Sequence, residues 1–313
     1  EKAALKILRQ AIDIDPKSVD AHREFGETLL QMKMYAASLE HLNLAVELDS
    51  EDPYCHYSLA TALLGTGRAE DSIPHFERSI ELAEVPIASA RHFLTIARGE
   101  KADMPADGYV KALFDDYARR FDKSLVGDLG YRGHVVLNEL VRQTAGNRRF
   151  AQAIDLGCGT GLFGELIRDR VDRLTGVDLS AKMLARAEER NVYDQLVEGD
   201  VVEALAESEA RPDLISATDV LVYLGSLDAL FSNVRERSLP GAVIAFTTEK
   251  LAEGSFELLS TGRFSHSATY VLETAERHGF RVLASEEGPL RREREDWLTG
   301  GYYLLEVPES QTT

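Results

Sequence analysis

The sequence predicts a two-part chain: an all-α helical repeat, then an α/β domain wound around a mostly parallel sheet. Three observations carry that expectation. The first hundred residues repeat with a period of 34. Residues 153–164, AIDLGCGTGLFG, run an apolar strand into three alternating glycines and then into a helical pattern. Three successive strand patterns end on a carboxylate, at Asp155, Asp178 and Asp200, and a parallel sheet gathers its strand ends along the edge where ligands bind.

In the repeat, Leu8, Leu42 and Phe76 fall in register, as do Ile12, Val46 and Ile80. Ala11, Ala45 and Ser79 align, Gly26 meets Ala60, and Ser38 meets Ser72. Small residues there let neighbouring helices approach, because each repeat buries its apolar face only on the next. The spacing predicts a helix over 1–13, pairs over 19–32 with 36–48 and 54–65 with 70–82, and a closing helix over 87–98. Pro16 and Pro53 follow the long helices. This pattern resembles tetratricopeptide (TPR) repeats. The resemblance implies an all-α superhelix whose groove binds a peptide or protein, with dimerisation or assembly as the alternative use. His22, His41, His56, His75 and His92 lack metal-like spacing and read as surface or groove residues. The series opens on a lone second helix and the chain starts without Met, so an upstream segment is expected.

Composition narrows the rest. The 313 residues suit about two domains, and 44% hydrophobic with 28% charged residues is an ordinary soluble composition. No apolar run reaches the roughly 18 residues of a spanning helix, and no signal-peptide core is present, so no membrane association is expected. Net charge is −18; residues 1–100 hold 17 acidic and 10 basic side chains, a difference of −7, leaving −11 for the remainder. Neither part is basic, which counts against nucleic acid as a partner. Cys55 and Cys158 are the only cysteines, which fits a reducing cytoplasm and leaves no Cys-based metal site.

The glycine turn decides the ligand class. A Cβ there would obstruct both the backbone angles and a ligand's close approach, and the following helix start offers N–H groups and partial positive charge. Residues 159–164 formally satisfy G-x-G-x-x-G, the dinucleotide fingerprint. Asp155, just before the glycines, suits a ligand with a cationic group instead of a pyrophosphate. Residues 155–161, DLGCGTG, resemble the first motif of class I S-adenosylmethionine (AdoMet) methyltransferases, whose cofactor carries an ammonium and a sulfonium. Over 109–307 the resemblance is to bacterial TPR-linked members of that family. It implies a Rossmann-like domain with a seven-stranded, mostly parallel sheet and an antiparallel last strand.

A polar stretch over 99–108, with Pro105 and Gly108, marks the boundary. The expected segments are a TPR domain over 1–100, a linker and helical lid over 101–150, and the methyltransferase domain over 151–313. Leu113, Phe114, Tyr117 and Phe121 share a helical face. Their Tyr-Ala-x-x-Phe-Asp pattern resembles the family's lid, whose aromatics close over the cofactor. Tyr117 and Tyr131 are the contact candidates there, against a plain packing role, and Gly127, Gly130 and Gly133 supply a hinge.

Strand patterns follow over 173–180, 193–201, 213–224 and 241–248, then over 280–283 and 302–307. Cofactor contacts are expected from Gly157, Gly159 and Gly161. Asp178, beside Leu179, is placed to accept from both ribose hydroxyls. Met183 packs on adenine or in the core. The resemblance implies Asp200 for the adenine amino group and the Val201 N–H for the ring. Asp219 and Tyr223 follow the fourth strand, where the family faces the methyl group.

Methyl transfer from a sulfonium is an in-line displacement with a good leaving group, so alignment dominates. A base is needed only if the acceptor arrives protonated. His266, Tyr223 and Glu249 are the catalytic candidates, His266 as base, followed by Arg263. No metal site is expected. The expected activity is AdoMet-dependent methyl transfer to a peptide or protein acceptor at the cleft beside the TPR domain. The alternatives are a small-metabolite methyltransferase with assembling repeats, or a non-catalytic AdoMet-binding module. The intact set of Asp155, Gly157, Gly159, Asp178 and Asp200 counts against the last.

Overall fold

The computed structural model describes residues 2–293 and 296–308. The chain forms two compact units, Glu1–Ala102 with Leu259–Gly262, and Asp103–Leu258 with Arg263–Thr313.

The first unit is helical: α1 (Lys2–Ile14), α2 (Val19–Gln31), α3 (Tyr35–Leu48), α4 (Pro53–Gly65), α5 (Ala69–Leu82) and α6 (Ala88–Ala97). Ser18 caps α2 by accepting the Ala21 N–H, and Asp52 caps α4 ahead of Pro53 by accepting from Tyr54 and Cys55. Gly26 lets α3 approach α2 closely: a Cβ there would stand 2.4 Å from Leu42 Cγ. Leu42, Leu59, Ala62 and Leu63 fill one inter-helix core, and Ala60, Phe76 and Ala90 fill the next.

Three of the five repeat histidines depart from the surface or groove placement that the sequence predicts. His22, His56 and His92 are buried. His22 Nδ1 lies 2.9 Å from His41 Nδ1, and one repeat later His56 Nδ1 lies 2.9 Å from His75 Nδ1. The outer nitrogens, His22 Nε2 and His56 Nε2, face the Pro16 and Ser50 carbonyls at 3.2 and 3.1 Å. A carbonyl only accepts, so each Nε2 carries the hydrogen and each Nδ1 receives one from its partner. Each pair thus latches the two helices of a repeat, and protonating both rings would set two N–H groups against each other.

The second unit begins with α7 (Tyr109–Tyr117), a π-helical turn (Lys123–Asp128) and α8 (Gly133–Ala145). The sheet strands are β1 (Phe150–Leu156), β2 (Val171–Asp178), β3 (Gln195–Glu198), β4 (Leu214–Ala217), β5 (Val243–Lys250), β6 (Phe256–Leu258), β7 (Phe264–His266), β8 (Arg281–Glu293) and β9 (Asp296–Glu306). Between them lie α9 (Leu162–Ile167), α10 (Ala181–Glu189), α11 (Val201–Glu207), α12 (Asp228–Arg237) and α13 (Ala268–Arg277). Strands β3-β2-β1-β4-β5 are parallel, and β9 enters antiparallel against β5, then pairs with β8.

These seven strands are the expected ones. Among the described residues the sheet holds nine, because the short β6 and β7 form a ribbon at the end of β5. The last two strands also outrun the expected 280–283 and 302–307, since residues 284–293 pair antiparallel with residues 296–304. Alternate β5 side chains bury opposite ways: Ile244 and Phe246 pack with α12 and α13, and Val243 and Ala245 with α8 and α9. Burial on both faces explains why the strands read as unbroken apolar runs.

Burial and the neighbouring histidine hold His41 and His75 below the ordinary histidine pKa of 6.5. The stability of these neutral rings is complete above that value and lost as pH falls through it. Melts of the chain should therefore show the helical unit losing several degrees between about pH 7.5 and about pH 5, and a His41→Gln, His75→Gln chain should flatten that dependence. An identical pH dependence in the double variant contradicts the latch.

Candidate cofactor and active site

A cavity of about 360 Å³ opens at the carboxyl edge of the parallel strands. Its floor is the turn after β1. Gly157 and Gly159 have φ of +61° and +55°, and a Cβ on Gly157 would stand 2.3 Å from Val220 Cγ2, so only glycine fits. Asp178 at the end of β2 ties this turn down. Its Oδ2 accepts the Gly159 N–H at 2.8 Å and its Oδ1 the Ser180 N–H at 2.9 Å. Burial still pushes the Asp178 pKa up, against those hydrogen bonds. Asp200 caps α11 through Oδ1, which accepts from Val202 and Glu203.

The roof comes from the preceding segment. Phe114, Phe121, Leu125, Tyr131 and His134 line the cavity, as do Met104 to Gly108 of the polar boundary stretch. Phe114 meets Tyr223 edge-on at 5.4 Å and Phe121 at 6.1 Å. The roof is fastened at both ends. Lys111 Nζ donates to Leu179 O at 3.0 Å, and Ser180 Oγ donates to Asp115 at 2.6 Å. Thr160 Oγ1 donates to Asp122, whose other oxygen accepts from Arg190.

Of the residues singled out from sequence, Tyr131, Gly157, Gly159, Asp178, Leu179, Asp200, Val201, Asp219 and Tyr223 line this cavity. The others need correction. Asp155 is fully buried in the sheet; its oxygens accept from Ser216 Oγ and Tyr193 OH, both at 2.7 Å, and burial raises its pKa to about 6. Gly161 packs toward Arg190 and Tyr193, Met183 lies in the core, and Tyr117 OH donates to Ser124. None of these four lines the cavity.

Two catalytic candidates are likewise committed elsewhere. His266 is buried with Nε2 2.9 Å from the Gly225 carbonyl, and burial lowers its pKa to about 4. Glu249 is gripped by Arg263 and by Arg291, the latter at 2.8 Å. Arg263 also binds Asp219 and donates to Tyr223 OH at 3.1 Å. This four-charge network holds Asp219 on the cavity wall at a φ of +60°, a conformation uncommon outside glycine. Phe114 and Phe121, on the helical face that resembles a lid, line the cavity; the sequence reading missed His134, Thr160 and the 104–108 segment. A polar stretch carries no local mark of lining a cavity.

The donor set fits AdoMet. Asp107, Asp178, Asp200 and Asp219 make the wall acidic, suited to a ligand with net positive charge. The volume lies within the usual range of small-molecule sites. Among the described residues, no group of three or more His, Cys, Asp or Glu side chains is arranged to hold a metal ion, and no helix is long and apolar enough to cross a membrane.

Comparison with known proteins agrees with this geometry. A family model described as a methyltransferase domain matches residues 130–285, and a tetratricopeptide repeat model matches 2–63. A malonyl-[acyl-carrier protein] O-methyltransferase of Chlorobium phaeovibrioides is 30% identical over 191 residues, covering 53% of this chain and 72% of the relative. One from Pectobacterium atrosepticum is 35% identical over 38% of this chain and 49% of its own length. The chain spans about half the length of the first such relatives. The N-methyltransferase NodS of Bradyrhizobium japonicum, solved with S-adenosyl-L-homocysteine (SAH), shares the fold: TM-score 0.50 at 18% identity, over 64% of this chain and 99% of that one. The chain belongs to the class I AdoMet-dependent methyltransferases, with TPR repeats at its N-terminal end.

Proposed function

We propose that the chain transfers a methyl group from AdoMet to a carboxylate oxygen of an acidic acceptor borne by a protein that the TPR unit engages. The observation that carries the AdoMet part is the cavity wall itself: a glycine turn, a tied carboxylate at Asp178 and a second at Asp200. Bound AdoMet would supply a methyl group on a positively charged sulfur, ready to leave as a neutral thioether. Asp178 would receive the ribose hydroxyls on lone pairs that its two N–H partners leave open. The free oxygen of Asp200 would face the adenine amino group. Phe114 and Phe121 would exclude water above the sulfur, which sharpens every charge interaction inside.

The acceptor class rests on two supports. The relatives named malonyl-[acyl-carrier protein] O-methyltransferase act on a malonyl group, a carboxylic acid, held on a carrier protein. In this chain, His266 and Glu249 are engaged by Gly225 and by two arginines, so an acceptor that arrives already ionised asks for no proton transfer. The TPR unit suits recognition of the protein that carries such a group. Free acids form the competing class.

Three measurements test this reading. SAH titrated calorimetrically into the chain should bind one to one, and Asp178→Ala should weaken it by at least about tenfold, one charge-assisted contact's worth. Wild-type affinity in that variant contradicts the ribose assignment. Asp155→Ala should act differently, costing stability of about 2 kcal/mol by orphaning the Ser216 and Tyr193 hydroxyls, while leaving SAH affinity of the folded protein near wild type. Finally, labelled methyl from AdoMet should enter malonyl groups on a carrier protein in base-labile, ester form. Base-stable label, or turnover only on free acids, contradicts the protein-borne carboxylate.

A further inference from the structure

The amino-acid end of AdoMet brings a carboxylate into a cavity whose wall is acidic. Three N–H groups of the glycine turn are already engaged within the protein. The Cys158 N–H donates to Val177 O at 2.9 Å, Gly159 to Asp178 at 2.8 Å, and Gly161 to Cys158 O at 2.8 Å. The wall contains no lysine or arginine, and His134 is its one side chain able to carry positive charge. His134 is 8% exposed, and its Nδ1 is fully buried without a hydrogen-bond partner. Tyr131 stacks on it at 5.5 Å, and its hydroxyl is likewise buried without a hydrogen-bond partner, with Thr247 the polar group nearby. A buried polar atom without a partner costs roughly 1–3 kcal/mol, which a ligand that supplies the partner recovers.

We propose that His134, carrying a proton and with the Tyr131 hydroxyl beside it, receives the carboxylate of the cofactor's amino-acid end. The inference rests on the AdoMet reading of the cavity. Without ligand, burial and the Arg190 charge hold the His134 pKa below its ordinary value, while Asp122 works the other way. Across the cavity stand Asp107, Asp178, Asp200 and Asp219, and Arg132 and Arg292 line a neighbouring pocket that shares Tyr131 and His134 with it. An arriving carboxylate favours the protonated ring, so binding takes up a proton. Affinity then rises as pH falls, by up to about tenfold per unit, between the free and the bound pKa of His134.

The test is calorimetry on the whole chain with AdoMet and with decarboxylated AdoMet, which keeps the amine and the sulfonium. Expected are proton uptake and tighter binding toward lower pH for AdoMet alone. His134→Gln should weaken AdoMet at least several-fold, flatten its pH dependence and leave the decarboxylated analogue unchanged. Equal weakening of both ligands, or an unaltered pH slope in the variant, overturns the assignment. Should the variant fail to fold, the wild-type contrast decides: equal pH slopes for the two ligands also overturn it. A wild-type chain that binds neither ligand refutes the cofactor reading, and this inference with it.

Discussion

One carboxylate organises the second unit. Asp178 joins the glycine turn after β1 to the start of α10, by accepting the Gly159 and Ser180 N–H groups. Ser180 in turn caps α10 through the Met183 N–H and donates to Asp115 in the roof. Floor, strand edge and roof are therefore registered on one side chain. Hydrogen bonds to a charged group are worth about 1.5–3 kcal/mol each, which is comparable to the cost of burying the charge. The raised pKa of Asp178 records that near balance. Further donors from a ligand would tip it toward the ionised form, so the same group that builds the site is suited to reading a ribose.

The positively charged side chains near the site are almost all engaged by protein groups. Arg190 binds Asp122 and Glu165, while Arg263 and Arg291 share Glu249. This pairing leaves the wall facing the cavity acidic, and it explains how a strongly charged region presents so selective a surface. The network beneath Asp219 also fixes a residue of positive φ at the strand exit, on the cavity wall.

Much of this was legible from sequence. The 34-residue register located the helices to within a few residues, and of the three strand-end carboxylates Asp155, Asp178 and Asp200, the last two line the cavity at one edge, because parallel topology gathers strand ends. Asp155 misleads for a stated reason. Side chains alternate along a strand, and Asp155 lies one residue before the end of β1, so it points into the sheet toward Ser216 and Tyr193. His134 and the 104–108 wall depend on chain segments far apart in sequence, which no local pattern joins. The histidine latches did carry a signal. His22 and His56 are 34 apart, as are His41 and His75, so both partners recur in register; two histidines that repeat together are better read as a pair than as scattered surface groups.

The most direct test is a crystal structure of the chain with SAH. The account predicts ribose hydroxyls on Asp178, adenine between Asp200 and the Val201 N–H, and sulfur beneath Phe114 and Phe121. A nucleoside bound elsewhere, or a cavity that takes a dinucleotide with its pyrophosphate over Gly157 and Gly159, would contradict it.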